Sequence, residues 1–482
     1  MKFRSGLVGS ILGLLTAGLL MANGGRVEEA PYDLVITHAN VIDVVAGNVR
    51  PDQVVAVRGD VIKLVEKASS KKYAAKRYLD AKGKYLMPGL WDMHVHFRGG
   101  DSLIQVNKNL LPLYLAHGIT TVRDAGGDMT PALFSWRRQM QAGTLAGPRI
   151  FTSGPKIDGP QAYWPGSLEV ETPAQIAKAL DSLQALKVDY VKIYDSKISG
   201  DAYLNVIAAA EKRGMKTTGH MPYSVKLSEA VERGLDATEH LYYVFKACSS
   251  KEDSLTALVK KSLTTSKPLG LFAMLPAVDA TYSQAAANRI FKLMATRKTA
   301  AVPTLFIGKT LAELPDTDHS RDTMLAYIDP KIRRTYTRRL SSAKGQSTEA
   351  NQFRKKLETR FMSLVPQLQA AGVVVLAGSD SGAFNSFTYP GASLVGEVEM
   401  LVQAGLTPAQ ALRAATINGA RFMGVESTAG TIAVGKNADL LLLAQNPFAD
   451  IQNIRKINTV VSRGKAYSRQ DLAAMLQAIK HK

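Results

Sequence analysis

The stretch Met87-Pro-Gly-Leu-Trp-Asp-Met-His-Val-His96 decides how the rest of the chain is interpreted. The Pro-Gly turn is followed by an apolar run, which predicts a strand starting at Leu90. His94 and His96 end that strand two residues apart, and the period of two puts both imidazoles on one face. A His-x-His pair alone is weak evidence, but at the end of a strand both rings can bind one ion through neutral nitrogens.

From about residue 88 to 420, short apolar strands alternate with helical stretches, which predicts the α/β class with a parallel sheet. There are eight candidate strands, which is the number that a closed (β/α)8 TIM-type barrel needs. They lie at Leu90–His94, Ile119–Arg123, Arg149–Thr152, Tyr190–Tyr194, Lys216–His220, Ala237–His240, Ala300–Thr304 and Val373–Ser379. Helical insertions are predicted near 250–297 and 306–370, and insertions of that size usually shape a substrate pocket.

Short β segments with glycine turns occur on both sides of the predicted barrel, at 31–87 and 421–467. We expect the two chain ends to pack together as one small β-sandwich domain. The chain would then consist of this sandwich and the barrel domain at 88–420, a division that suits its length of 482 residues.

The first 24 residues have the pattern of a signal peptide. Lys2 and Arg4 precede an apolar run over 6–22, and small residues follow it. The run borders on spanning length, so an uncleaved membrane anchor is the alternative. We expect a mature chain that is exported, periplasmic or secreted, without stable membrane insertion after cleavage.

Composition narrows the classes of partner. The net charge of +19 could attract anionic partners, but the basic residues are scattered and no nucleic-acid-binding motif is present. A solvated basic surface and a small-molecule substrate are therefore expected, with no nucleic-acid partner. Cys248 is the single cysteine, so no disulfide can form within the chain, and structural burial is its expected role.

Further polar residues end or interrupt later strands. His220 and His240 close two of them, so four of the eight histidines lie at the end of the barrel where such enzymes do chemistry. Asp380, after the eighth strand, could bind a metal and accept a proton, or simply cap a helix. Lys192 lies inside an apolar strand. It would be either a cation facing a solvated site or a carbamate formed with CO2.

These motifs together resemble the amidohydrolase superfamily, in its imidazolonepropionase-like and prolidase-like branch. The resemblance covers 32–465 and rests on the opening stretch and on further strings. They are Thr120-Thr-Val-Arg-Asp124, Val191-Lys-Ile193, Gly219-His220, Glu239-His240, Gly378-Ser-Asp380 and Gly430-Thr-Ile-Ala-Val-Gly-Lys-Asn-Ala-Asp-Leu440.

The resemblance implies two divalent metal ions, and zinc suits this ligand set. His94, His96 and Asp380 would bind one ion, His220 and His240 the other, and Lys192, as a carbamate, would bridge both. The implied chemistry is attack by a metal-bridging hydroxide on an amide carbonyl, with Asp380 as the catalytic group that moves the proton.

Three residues are candidates for substrate contact. Arg98 lies at the offset where dihydroorotase-like members bind a carboxylate, Arg123 ends the second strand, and Tyr194 follows Lys192 by two residues. A structural ion pair is the alternative for either arginine, for instance Arg123 with Asp124.

Dipeptides or N-acyl amino acids with a free carboxylate are the expected substrates. Lactones, cyclic imides and organophosphates are alternatives on the same site, because one hydroxide can attack all of them. A different alternative is a non-catalytic exported protein that binds metal or anions. The sequence leaves both a monomer and a homo-oligomer open.

Overall fold

The computed structural model describes residues 31–481. The predicted signal peptide, residues 1–24, lies outside this range. Within 31–481, no helix combines the length and the apolar character needed to span a bilayer.

The described chain begins with a group of strands that are rich in valine and isoleucine, residues that favour pleated backbone. The first pairs antiparallel with the second and the second with the third, while the fourth and fifth both run parallel to the first. They are β1 (Leu34–Asp43), β2 (Asn48–Arg58), β3 (Val61–Lys67), β4 (Tyr78–Asp80) and β5 (Tyr85–Pro88).

Short strands then alternate with helices, and most of these strands are completely buried, as expected where helices cover a parallel sheet. The strands are β6 (Leu90–His96), β7 (Ile119–Asp124), β8 (Arg149–Thr152), β9 (Ile157–Asp158), β10 (Leu168–Glu169), β11 (Val191–Ile193), β12 (Thr217–Gly219), β13 (Ala237–Glu239), β14 (Ala300–Val302) and β15 (Ser381–Gly382).

Several of the helices between and after these strands start at a Ser or Thr whose hydroxyl accepts a backbone N–H of the first turn, as at Thr172, Ser199 and Thr407. The helices are α1 (Ile104–Asn109), α2 (Leu111–Ala116), α3 (Thr130–Gln141), α4 (Pro173–Leu186), α5 (Gly200–Glu211), α6 (Leu227–Glu232), α7 (Tyr242–Ala247), α8 (Glu252–Ser262), α9 (Leu271–Ala280), α10 (Gln284–Arg297), α11 (Leu305–Glu313), α12 (Pro330–Lys344), α13 (Thr348–Ala370), α14 (Ala392–Gln403), α15 (Pro408–Ala414) and α16 (Ile417–Phe422).

The parallel strands form two sheets, in the orders β15-β6-β7-β8 and β10-β9-β11-β12-β13-β14. This arrangement fits a TIM-type barrel, although no continuous ladder closes the two sheets into one ring among the described residues. The predicted eighth strand, Val373–Ser379, is not a regular strand. It makes one isolated bridge, Ala301 with Val375, and its amides and carbonyls bond to neighbours on both sides.

Both chain ends meet in one sheet. Three further strands and a final helix complete the chain: β16 (Leu440–Leu443), β17 (Ile457–Ser462), β18 (Lys465–Ser468) and α17 (Arg469–Ile479). β16 pairs antiparallel with β5, which gives an eight-stranded sheet in the order β18-β17-β16-β5-β1-β2-β3, with β4 on β1. One apolar cluster joins residues of both ends, among them Ile36, Ile62 and Leu442. Because these strands form one sheet, the predicted two-layer sandwich is not confirmed.

Candidate metal centre

The four predicted histidines meet at one place. His94 and His96 end β6, while His220 and His240 directly follow β12 and β13. The Nε2 atoms of the first pair are 3.1 Å apart and those of the second pair 3.2 Å apart. The ring centroids of His94 and His240 are 5.2 Å apart, so the two pairs are neighbours. Parallel strands end at a common edge, which explains the convergence.

Asp380 lies between the two pairs. Its Oδ1 is 2.8 Å from His96 Nε2 and 3.5 Å from His94 Nε2, and its Oδ2 is 3.9 Å from His240 Nε2. One ligand atom from each of His94, His240 and Asp380 lies within 4.8 Å of the others, which is close enough for all three to hold one metal ion.

Lys192 is buried beneath this cluster in the middle of β11. Its Nζ has no hydrogen-bond partner among the described residues. Burial lowers the pKa of this amine, while the carboxylate of Glu239 acts in the opposite direction. A buried ammonium without a partner is costly, so this position suits a neutral amine or a carbamate better than a cation.

The protonation states favour metal binding. Burial lowers the pKa of His94, and it lowers the pKa of His96 and of His240 well below the ordinary value, so these rings are neutral and offer lone pairs. Burial opposes ionisation of Asp380, but the surrounding histidines hold the pKa of its carboxyl well below the usual range. Neutral imidazoles and a carboxylate are the ligands that divalent metals such as zinc prefer.

The fit to a metal ion can be judged from atoms that otherwise lack partners. His96 Nδ1 is buried without a hydrogen-bond partner among the described residues, and its Nε2 is crowded between His94 Nε2 at 3.1 Å and Asp380 Oδ1 at 2.8 Å. The same crowding recurs at His220 and His240, and the orphaned Lys192 amine lies close by. The donor set therefore fits divalent metal ions.

The carboxylate of Glu239 accepts hydrogen bonds from His94 and from two neighbouring residues. Its role at the centre was not predicted from the sequence. Its Oε2 accepts from His94 Nδ1 at 2.6 Å, and its Oε1 accepts from Arg123 at 2.6 Å and from the Thr218 hydroxyl. Such a bond fixes the tautomer and the orientation of a ligand histidine. A glutamate in a completely buried three-residue strand was the available signal, since it needs cationic or donor partners.

The second histidine pair has its own supports. Thr304 Oγ1 lies 2.6 Å from His240 Nδ1, and Asp195 Oδ1 lies 3.4 Å from His220 Nδ1. His240, Thr304 and Asp380 have φ angles of 63°, 51° and 55°, in the left-handed region that non-glycine residues rarely adopt. Such backbone costs about 1–3 kcal/mol per residue and clusters at functional sites.

The three residues predicted to contact the substrate lie in different surroundings. Tyr194 lines the cavity over the metal centre, with its ring centroid 4.5 Å from that of His220. Arg123 is completely buried. It donates to Met93 O and pairs with Glu239, whereas the sequence analysis named Asp124 as a partner. This geometry favours the structural alternative for Arg123.

Arg98 is linked to Asp380 through a residue that the sequence analysis did not single out, Asn385. Arg98 donates from Nε to Ala383 O at 2.6 Å and from a terminal nitrogen to Asn385 Oδ1 at 2.8 Å. The amide nitrogen of Asn385 donates to Asp380 Oδ1 at 2.8 Å. Asn385 therefore fixes the guanidinium and the carboxylate relative to each other.

A cavity of about 320 Å³ opens onto the centre. His220, His240 and Asp380 form its floor, and Phe272, Leu311 and Phe361 come from the helical insertions that cover it. The site thus combines candidate metal ligands, a buried carboxylate and a cavity for a small molecule, which is the arrangement that metal-assisted hydrolysis requires.

Comparisons with known proteins agree with this geometry. Residues 85–467 match the model of the Amidohydrolase family. Among solved structures, the chain is similar to a bottromycin amidohydrolase (TM-score 0.71, 21% identity, covering 94% of this chain and 91% of that one). It is also similar to a Xaa-Pro dipeptidase with methionine bound in its active site (TM-score 0.64, 21% identity, covering 90% and 99%). These likenesses are evidence for the fold.

A curated relative matches over a shorter region. The adenine deaminase of Deinococcus radiodurans is 26% identical over 193 residues, which are 39% of this chain and 34% of that protein. The chain thus spans about a third of the length of this relative.

Proposed function

The chain belongs to the amidohydrolase family, and from that premise we propose that it is a hydrolase that cleaves carbon–nitrogen bonds with the help of divalent metal ions. The observation that carries the proposal is the convergence of four imidazoles and Asp380 over the buried Lys192 amine, at the floor of a cavity.

In this proposal the ligands divide between two ions, with zinc as the metal. His94, His96 and Asp380 would hold one ion, His220 and His240 would hold the second, and Lys192, as a carbamate, would be a further ligand. Bound metal ions supply Lewis-acid chemistry, since they lower the pKa of a water molecule and polarise a carbonyl oxygen. Glu239, Thr304 and Asp195 orient the ligand rings.

Asp380 moves the proton. Water attacks the amide carbonyl carbon, and Asp380 accepts the proton that the water loses. The C–N bond then breaks, and Asp380 returns that proton to the leaving amine nitrogen. The low pKa of Asp380 keeps it ionised and ready to accept at neutral pH.

The substrate class follows from the residues around the centre. Arg98 offers a planar cation that Asn385 links to Asp380, which suits a substrate carboxylate, and Tyr194 lines the cavity over the centre. Dipeptides and N-acyl amino acids with a free carboxylate are therefore the first substrates of the proposal. The sequence match to an adenine deaminase favours a second candidate, hydrolytic removal of an exocyclic amine.

The test is a substrate panel on the metal-reconstituted chain. Dipeptides, N-acyl amino acids, adenine, a lactone and a cyclic imide are compared by initial rate. Hydrolysis of the first two classes supports the proposal. Activity on adenine alone favours the second candidate. A protein that binds metal but hydrolyses no member of the panel contradicts both and favours the non-catalytic alternative.

A further inference from the structure

The metal-site cavity adjoins a second and larger cavity. The second one has a volume of about 660 Å³ and lies among α9, α11, α12 and α13, the helical insertions over the barrel. The two cavities share wall residues, namely Tyr242, Phe272, Gly308, Leu311, Arg339 and Glu358. The two spaces are therefore adjacent, and these six residues lie between them.

The interior of this second space, which we call the insertion cavity, is built largely from apolar side chains. Leu275 of α9, Leu314 after α11, and Phe353 and Leu357 of α13 face it. Concave apolar space of this size is typical of a ligand site rather than of a packing fault, since protein interiors leave few voids larger than a water molecule.

The junction between the two cavities has polar atoms. Arg339 has a buried terminal nitrogen without a hydrogen-bond partner among the described residues. Glu358 approaches close to α11 because Gly308 leaves room, and a Cβ at Gly308 would overlap the Glu358 carboxylate. Polar groups at the junction and apolar groups beyond it would hold a molecule that is polar at its amide end and apolar at its far end.

From this arrangement we propose that the substrates are N-acyl amino acids with a long aliphatic acyl chain, and that this chain occupies the insertion cavity. The amide lies at the metal centre, the carboxylate lies on the Arg98 side, and the acyl chain passes Leu311 into the insertion cavity. The inference rests on the proposed function, since it names the acyl group of the same hydrolysed amide.

The test begins with chain length. Acetyl, hexanoyl and decanoyl derivatives of the amino acid that the substrate panel identifies are compared by kcat/KM on the metal-loaded full chain. Each methylene that enters an apolar cavity is worth up to about a fourfold gain. We expect kcat/KM to rise along the series, and a flat or falling series overturns the inference.

Two matched tryptophan substitutions on α13 test where the acyl chain lies. Ala350 lines the insertion cavity, whereas Gln352 is exposed on the same helix. Ala350→Trp is expected to lower kcat/KM for the decanoyl substrate by about tenfold or more, since it removes space for several methylenes. It should leave the acetyl substrate within about twofold of the unmodified chain, and Gln352→Trp should affect neither substrate. An equal loss for both substrates in Ala350→Trp contradicts the placement of the chain.

The two proposals fail in different ways. If no amide is hydrolysed, the proposed function is wrong. If the acetyl derivative is hydrolysed and chain length has no effect, the proposed function stands and only the insertion-cavity inference is wrong. The chain-length series uses the unmodified protein, so it tests the insertion-cavity inference even if Ala350→Trp does not fold.

Discussion

At the scale of single residues, Asp380 is the group on which the proposed chemistry depends most. It contacts both histidine pairs, and Asn385 holds its carboxylate in place. Asp380→Asn keeps the shape and an oxygen ligand but removes the proton acceptor. We expect kcat to fall by about 10²–10⁴-fold, the usual contribution of a general acid–base group.

Metal content must be measured on the same Asp380→Asn sample, because a lost ion would also reduce kcat. A variant with unchanged metal content and unchanged kcat would rule out the proton-transfer role of Asp380.

Glu397, on α14, allows a pH-dependent prediction. It is completely buried, and its Oε2 accepts the N–H of Phe306 at 2.7 Å. Burial raises the pKa of this carboxyl from 4.5 to about 8, although amides at the start of α11 act in the opposite direction. The folded state therefore holds the proton more tightly than the unfolded state does. Stability from this group is fully present below pH 4.5 and is lost as pH rises to about 8.

Glu397→Gln keeps an amide oxygen as acceptor and cannot ionise. Relative to the unmodified chain, its free energy of unfolding should increase between pH 5 and 8, with an upper limit of about 1.4 kcal/mol per unit of pKa shift. Urea unfolding at several pH values measures this difference. A difference that does not change with pH would show that Glu397 has an ordinary pKa.

At the scale of elements, the approach of β12 to β11 places His220. Gly219 ends β12 with a φ of 147°, and a Cβ there would overlap the carbonyl oxygen of Ile193 in β11. Gly219→Ala must separate the two strands and move His220, so we expect loss of metal bound by the second histidine pair and destabilisation of about 1–3 kcal/mol.

Gly214→Ala is the matched control for that change. Gly214 also has a positive φ, 66°, but a Cβ there would meet nothing within 4 Å. It should cost about 1 kcal/mol or less and leave metal binding intact. Equal metal loss in both variants would contradict the argument from strand spacing.

The elements also show how much of the fold can be predicted from the sequence. The alternation of apolar strands and helices located seven of the eight predicted strands to within a few residues. In the eighth, part of the backbone leaves the strand ladder: the amide of Ala377 bonds to the carbonyl of Ala414, and the amide of Ser379 bonds to the carboxylate of Asp92, 287 residues away in sequence. A local pattern cannot contain that contact.

The same limit applies to the site. The ends of strands could be read from periodicity, so the positions of the histidines followed from the pattern. The hydrogen-bond partners of Glu239 could not be predicted in this way, because Arg123, Thr218 and His94 come from three other strands. Asn385 was missed for a similar reason, since it has no motif and acts only through its two partners.

At the scale of the whole molecule, pairing of β5 with β16 joins the two chain ends on one side of the parallel sheets. The metal centre lies at the carboxyl edge of those sheets, and the helical insertions cover it. The strands therefore hold the candidate ligands in fixed positions, and the helical insertions form part of the cavity wall above them.

Metal analysis of the purified full chain tests the central claim most directly. We expect two divalent ions per chain, and a clear loss of bound metal in His94→Ala and His240→Ala. His319→Ala should bind as much metal as the unmodified chain, since His319 pairs with Asp322 away from the centre. Less than one ion per chain, or equal metal content in all three variants, would contradict the account.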